Sequence, residues 1–191
     1  MNPFNLKNFL LCSIILLITG SGIGQKNWCF EVDGGYTSVS KAEMIGYGFN
    51  ANLGRYINKR LYVAAGFQHH RVESDPGYYL AKAEMNSGHL LVGFDVIKTA
   101  TFSLDVAPMG FYRSRDQSFD VEQGYSVVTE GYFIDENKSL KYNVKEYGYG
   151  GKVGIKYTFY KQLGLKLDGS FQRDLNDIDI ITGTLGLYIR F

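Results

Sequence analysis

Gly183-Thr184-Leu185-Gly186-Leu187-Tyr188-Ile189-Arg190-Phe191 alternates without a break. Leu185, Leu187, Ile189 and Phe191 fall on one face; Thr184, Gly186, Tyr188 and Arg190 fall on the other. Side chains along a strand point to opposite faces in turn, so this is a strand whose two faces meet different surroundings. The residue types decide more than the period does. One face is aliphatic and ends on an aromatic, while the other mixes small, hydroxylated and charged groups.

The same alternation recurs upstream. It predicts eight strands at about 27–38, 44–57, 61–73, 84–97, 101–114, 142–159, 163–174 and 178–191. Tight connections (Asn58-Lys59-Arg60, Lys98-Thr99-Ala100, Tyr160-Lys161-Gln162) alternate with looser ones at about 39–43, 74–83, 115–141 and 175–177. No sustained helical period follows residue 25. The chain has 15 Tyr, 13 Phe and 23 Gly against 3 Pro, a composition suited to long strands that curve tightly. A net charge of +1 gives no nucleic-acid footprint.

The apolar face continues through Trp28, Phe30, Tyr47, Phe49, Leu53, Phe67, Leu90, Phe94, Leu104, Tyr147, Ile155, Tyr157, Leu165 and Leu167. The opposite face carries glycines together with Glu31, Asp33, Asp95, Asp105, Arg113, Glu146, Lys152, Lys156, Lys166, Asp168 and Arg190. Three features place the apolar face outside. Glycine weakens a water-exposed strand but makes room inside a narrow barrel. The apolar-face aromatics gather in two belts, with Trp28, Phe102, Tyr157, Phe159 and Phe191 near the tight turns and Tyr36, Tyr47, Phe67 and Tyr147 near the loose ones. The acids and bases of the polar face balance closely enough to pair in a lumen. The expected fold is all-β, a closed antiparallel eight-stranded transmembrane up-and-down barrel. Met109, Phe111 and Ile180 inward and Pro108 outward break the polarity rule, which implies a bulge in the fifth strand or apolar packing inside.

The start of the chain fits export. Lys7 precedes the apolar run 9–18 and the small-residue stretch Thr19-Gly20-Ser21-Gly22-Ile23-Gly24-Gln25. A spanning helix needs roughly 20 apolar residues, so residues 1–24 are expected to be a cleaved signal peptide and residues 25–191 the barrel. Cys29 is then the single remaining cysteine, which excludes an internal disulfide.

With export signal, alternation, turn asymmetry and terminal Phe191 together, residues 26–191 resemble the small eight-stranded outer-membrane proteins of the OmpA-barrel and OmpX type. That group includes the single-domain outer-membrane β-barrel proteins common in Bacteroidetes. The resemblance implies a Gram-negative outer-membrane location, porin-like architecture and a monomer surrounded by outer-membrane lipids. It also implies recognition of the closing strand, with Tyr188 and Phe191 as the assembly signal, by the barrel-assembly machinery.

Catalytic, metal and cofactor residues are all expected to be absent. His69 and His70 are adjacent in a strand and point to opposite faces, so they do not chelate one ion together. Lipid-modifying barrels of this size place a His and a Ser two apart on one outward face; here only Ser87 and His89 have that spacing, in reverse order. Loop 115–141 is the strongest functional candidate. Phe119, Tyr125, Tyr132 and Phe133 lie among its acids, with Asp135-Glu136-Asn137-Lys138 as the turn of a protruding hairpin. The expected role is structural or surface-interacting, through an extracellular protein or glycan ligand and without nucleic acid. The alternatives are a narrow channel for ions or small solutes lined by the polar-face charges, and a lipid-modifying enzyme.

Deleting Phe191 should lower the amount of barrel assembled in cells and leave precursor in the periplasm, while refolding from urea into detergent stays nearly intact. Normal cellular assembly with collapsed detergent refolding would refute the targeting role.

Overall fold

A computed structural model of the chain describes residues 28–40, 43–75, 79–121, 127–129, 132–134 and 139–191. The expected signal segment 1–24 lies outside the described residues. The strands are β1 (Trp28–Val39), β2 (Met44–Tyr56), β3 (Leu61–Ser74), β4 (Tyr79–Lys98), β5 (Phe102–Val121), β6 (Val127–Thr129), β7 (Tyr132–Ile134), β8 (Ser139–Tyr160), β9 (Leu163–Asp174) and β10 (Asp179–Arg190). Eight of them close into an antiparallel barrel in the order β1-β10-β9-β8-β5-β4-β3-β2, and β6 pairs with β7 as a separate hairpin.

Closure runs the full length of the first and last strands, from Cys29 opposite Arg190 to Val39 opposite Ile180. Phe191 adds a last rung, exchanging backbone hydrogen bonds with Trp28 at 2.8 and 2.9 Å. Truncation there also removes these bonds, each worth about 1 kcal/mol net.

The distribution of side chains is inverted relative to a water-soluble barrel. Leu104, Ile155, Leu167 and Leu185 form a continuous cross-strand row on the outer surface, where Leu185 is 61 % exposed. Glu31, Asp33, Asp105, Arg113, Lys156 and Lys166 are buried inside. Hydrocarbon as the surrounding solvent selects this arrangement, and water selects its opposite.

At the long-loop end of β3, β4, β5 and β8 the polarity reverses. Val72, Ala81, Ala83, Met85 and Phe119 pack inside with Val39, Met44 and Ile180. Arg71, Glu84, Asp116, Lys141 and Asn143 point outward and are exposed. Arg71 and Glu84 pair across strands at 3.8 Å, and the Asn143 amide donates to Asp116 at 2.6 Å. Here the barrel has the interior of a soluble protein, so the surroundings change from hydrocarbon to water along these strands.

This reversal corrects three boundaries. Residues 79–83, 115–121 and 139–141 are strand where loop was expected. The hydrogen-bonded ladder continues beyond the apolar belt, with Ala81 opposite Phe119 and Phe119 opposite Leu140. Apolar-out alternation stops where lipid would stop, so a boundary drawn on hydrophobicity ends each strand too early.

The polarity exceptions have separate causes. Inward alternation holds in β5 from Asp105 to Phe119, so this strand carries no bulge there. The bulges lie instead in β4 between Asp95 and Ile97 and in β8 between Thr158 and Tyr160. Met109 packs in an interior cluster with Cys29, Tyr56, Tyr62, Ala64, Leu91 and Ala107. Phe111 lies under the Arg113 guanidinium at 4.4 Å. Pro108 takes the outward position opposite Gly151, where its missing side-chain polarity suits the apolar surface.

Leu185→Arg, at the waist of the outer surface, should cost about 2–4 kcal/mol of stability in refolding titrations into bilayers. Tolerance of arginine there would mean that this surface faces water.

Candidate functional site

The lumen is built by register. Asp95 of β4 stands directly opposite Asp105 of β5, and Lys156 of β8 directly opposite Lys166 of β9. Like charges in direct register repel, so each pair needs an opposite charge from elsewhere on the wall. Glu31 of β1 supplies it for the lysines. Its carboxylate accepts from Lys156 at 2.6 Å, Lys166 at 2.7 Å and Lys152 at 3.2 Å. Lys166 also donates to Asp33 at 2.8 Å and Asp168 at 2.5 Å, and Lys152 lies 3.4 Å from Asp168.

The acid pair is resolved in the same way. Asp105 accepts from the Tyr62 hydroxyl and lies 3.5 Å from Lys156. Asp95 accepts from Lys98, and the Tyr56 hydroxyl reaches it at 3.4 Å. Glycine makes the room. Gly154 sits in register between Asp105 and Asp168, and a Cβ there would collide with the carboxylate oxygens of both. A Cβ on Gly93 would run into the Tyr62 ring, so only glycine lets that tyrosine lie flat against the wall and reach Asp105.

A second layer lies toward the long-loop end. Arg113 donates to Gln172 at 2.7 Å, and its guanidinium lies 3.9 Å from Glu146 and 4.0 Å from Asp174. Arg115 pairs with Glu146 at 2.8 Å. Gln172 donates in turn to Gln68 at 2.8 Å, which also accepts from Ser87. Arg190 lies at the other end, its guanidinium 3.9 Å from the Tyr56 ring centre. Tyr188 faces inward and shares a hydrogen bond with Thr158, whereas Phe191 is on the outer surface.

These layers crowd the bore. The void between Asp33, Gln68, His70, Lys152 and Asp168 measures about 10 Å³, room for about one water. Above it the apolar cluster around Met44, Met85, Phe119 and Ile180 lies across the long-loop end. A solute path would require the Glu31 cluster and this cluster to rearrange together.

The histidines are structural in placement. His70 points inward and shares a 2.9 Å hydrogen bond with Thr37, and His69 points outward to Asn86. Ser87 and His89 are both buried in the lumen, away from the outer surface. His89 contacts Asn52 at 2.6 Å. Among the described residues no three His, Cys, Asp or Glu side chains form a cluster able to hold a metal ion.

The rim candidates separate. Phe119, expected in an exposed loop, is an inward residue of β5, 6 % exposed and stacked on Tyr142 with ring centres 6.1 Å apart. It continues the inward parity of Arg113, Arg115 and Gln117 and belongs to the interior. Tyr132 and Phe133 belong to β7, whose register sets Thr129 opposite Tyr132 and Val127 opposite Ile134. The hairpin therefore reverses between residues 129 and 132, ahead of Asp135-Glu136-Asn137-Lys138. Tyr125 lies outside the described residues.

β4, β5 and β8 are 20, 20 and 22 residues long, against 12 to 14 for the other barrel strands. Pairing of β8 with β5 starts at Ser139, but its pairing with β9 starts only at Gly148. The barrel is tall on one side. Beside this raised sheet, Arg71, Lys82, Glu84, Asp116, Ser118, Lys141 and Asn143 line a groove of about 500 Å³.

No protein-family model and no curated protein sequence matches the chain. Solved structures do resemble it. Neisserial surface protein A superposes with a TM-score of 0.56 at 13% identity, covering 86% of this chain and 97% of its own. Ail, the attachment invasion locus protein of Yersinia pestis, gives 0.53 at 13% identity, with 86% and 99% covered. A major outer membrane protein from Thermus thermophilus gives 0.56 at 13% identity, with 86% and 98% covered. At this identity the likeness is one of fold, and the fold shared is the closed eight-stranded antiparallel barrel.

Glu31→Gln should destabilise the barrel by about 3–5 kcal/mol, because it leaves buried lysines facing one another without their common partner. Adding Lys156→Met should recover part of the loss. Additive costs in guanidinium titrations would show that the two residues act separately.

Proposed function

We propose that the protein is a monomeric barrel of the bacterial outer membrane, of the OmpA-barrel and OmpX type, acting at the cell surface as an interaction protein. The short turns face the periplasm and the tall side rises from the outer leaflet. The observation that carries the interaction role is the open edge of β8. Its ladder with β5 begins at Ser139, and on the other side the described ladder, with β9, begins only at Gly148.

An open strand edge above the membrane presents backbone donors and acceptors that an extended partner segment satisfies by adding a strand. Side chains near that edge supply selectivity. Lys141, Asn143 and Lys145 alternate along the outer face of β8, and the adjoining groove mixes cations with carboxylates. This chemistry suits a polar, extended protein segment. The likeness to barrels named for surface location and attachment supports the same reading. The crowded lumen favours it over solute passage.

The test uses the barrel in lipid nanodiscs as bait for a phage-displayed library of extended peptides. A variant joining Ser114 to Lys145, a cross-strand pair, through an Asn-Gly turn removes most of the open edge of β8 and keeps the lower barrel strands. Recovered peptides should bind the intact protein and lose the trimmed one. Failure to enrich any peptide, or binders indifferent to trimming, would sink the proposal.

A further inference from the structure

The short-turn end of the barrel carries a ring of cations. Arg55, Lys59, Arg60, Lys98, Lys161 and Arg190 surround it. The neighbouring acids, Glu31, Asp95 and Asp105, are buried in the wall. Among the described residues, every side-chain charge that meets water at this end is positive.

The mouth within this rim holds a cavity of about 120 Å³. That is about twelve times the 10 Å³ void with room for one water, enough for one tetrahedral oxyanion or one carboxylate group. Lys98, Lys156, Lys161 and Arg190 line it with the polar side chains of Thr158 and Gln162, and no carboxylate side chain does.

These cations are held in place. Lys156 is anchored by Glu31 at 2.6 Å, and Lys98 donates to the Lys59 carbonyl at 2.6 Å as well as to Asp95. Lys98 and Arg190 both lie over the Tyr56 ring, at 4.1 and 3.9 Å from its centre. Stacking on an aromatic face holds a guanidinium by its plane and keeps its N–H groups directed along the edge, where they suit oxyanions. Lys161, at a turn position with φ of 45°, carries its ammonium 5.3 Å from the centre of the exposed Tyr160 ring.

We propose that this mouth is a binding site for an oxyanion, taking the phosphate or carboxylate group of a ligand on the short-turn side of the membrane. It does not depend on the surface-interaction role, since it lies at the opposite end of the barrel.

The full barrel in non-ionic detergent is titrated calorimetrically with inorganic phosphate, methyl phosphate and acetate, with chloride holding ionic strength constant. Saturable one-to-one binding is expected for phosphate or acetate. Lys161→Asn and Arg190→Gln should each weaken it about tenfold, the loss of one charge-assisted hydrogen bond. Lys59→Gln and Arg60→Gln, at the same end but outside the cavity, should leave it unchanged. Methyl phosphate binding as well as phosphate identifies the terminal group of a larger molecule, and its exclusion identifies free phosphate; acetate binding alone identifies a carboxylate. Lys161→Asn lies in an exposed turn that tolerates a left-handed residue, so the test stands even if Arg190→Gln weakens closure. Absence of saturation, or equal weakening by all four substitutions, would show only a diffuse positive field and overturn the site.

Discussion

Closure of the sheet between β1 and β10 is the constraint from which the rest follows. Each edge amide or carbonyl left open in hydrocarbon costs several kcal/mol, so a sheet in that solvent is closed or it is not stable. Eleven consecutive register pairs, Cys29–Arg190 through Val39–Ile180, meet the demand. Closing eight strands sets the bore, and the bore admits little more than side chains. Everything that faces inward must then fit a fixed volume and find its polar partners across the lumen. Glycine at 154 and 93 is as much a product of closure as the ion pairs are, because the large groups beside them have nowhere else to go.

Charge in so narrow a space cannot be arranged strand by strand. The ladder places Lys156 against Lys166 and Asp95 against Asp105, two unfavourable local pairings. The lysine pair becomes favourable only when the wall curves round and brings Glu31 to it, while the acids take Lys98 from the end of β4 itself and Lys156 from the neighbouring β8. The interior charges therefore couple β1 to β8 and β9, strands with which it shares no backbone ladder. This coupling cannot form in an open sheet, so the ion pairs stabilise the closed ring specifically.

Period-two alternation made the lipid-facing rows legible in the sequence, from Phe30 in the first strand to Leu185 in the last, because one solvent acts on one face throughout. It also put Glu31, Lys152, Lys156, Lys166 and Asp168 on a common face. Which acid meets which base was not legible, since partners lie up to 135 residues apart and are chosen by curvature. The candidate loop was misjudged for a related reason. Above the apolar belt both surroundings change, so Ala81, Met85 and Phe119 turn inward and Lys82, Glu84 and Asp116 outward. The period of two persists there, but the meaning of its phases is exchanged. A rule that equates apolar with outward reads Phe119 as an exposed anchor, although the structure stacks it on Tyr142.

That exchange of phases also bears on function. A strand crossing from hydrocarbon into water must give up its lipid-facing pattern, and most barrel strands here end near that point. β4, β5 and β8 do not. They carry an apolar interior and a polar exterior upward, continuing as a small soluble-type sheet mounted on a membrane anchor. In water an open edge costs little, because solvent satisfies its backbone groups. The demand that forces closure below is therefore absent above, and β8 can keep an edge, unpaired among the described residues ahead of Gly148, that would be untenable a few residues further down. The change of solvent along one strand separates the part of the chain that must be sealed from the part that need not be.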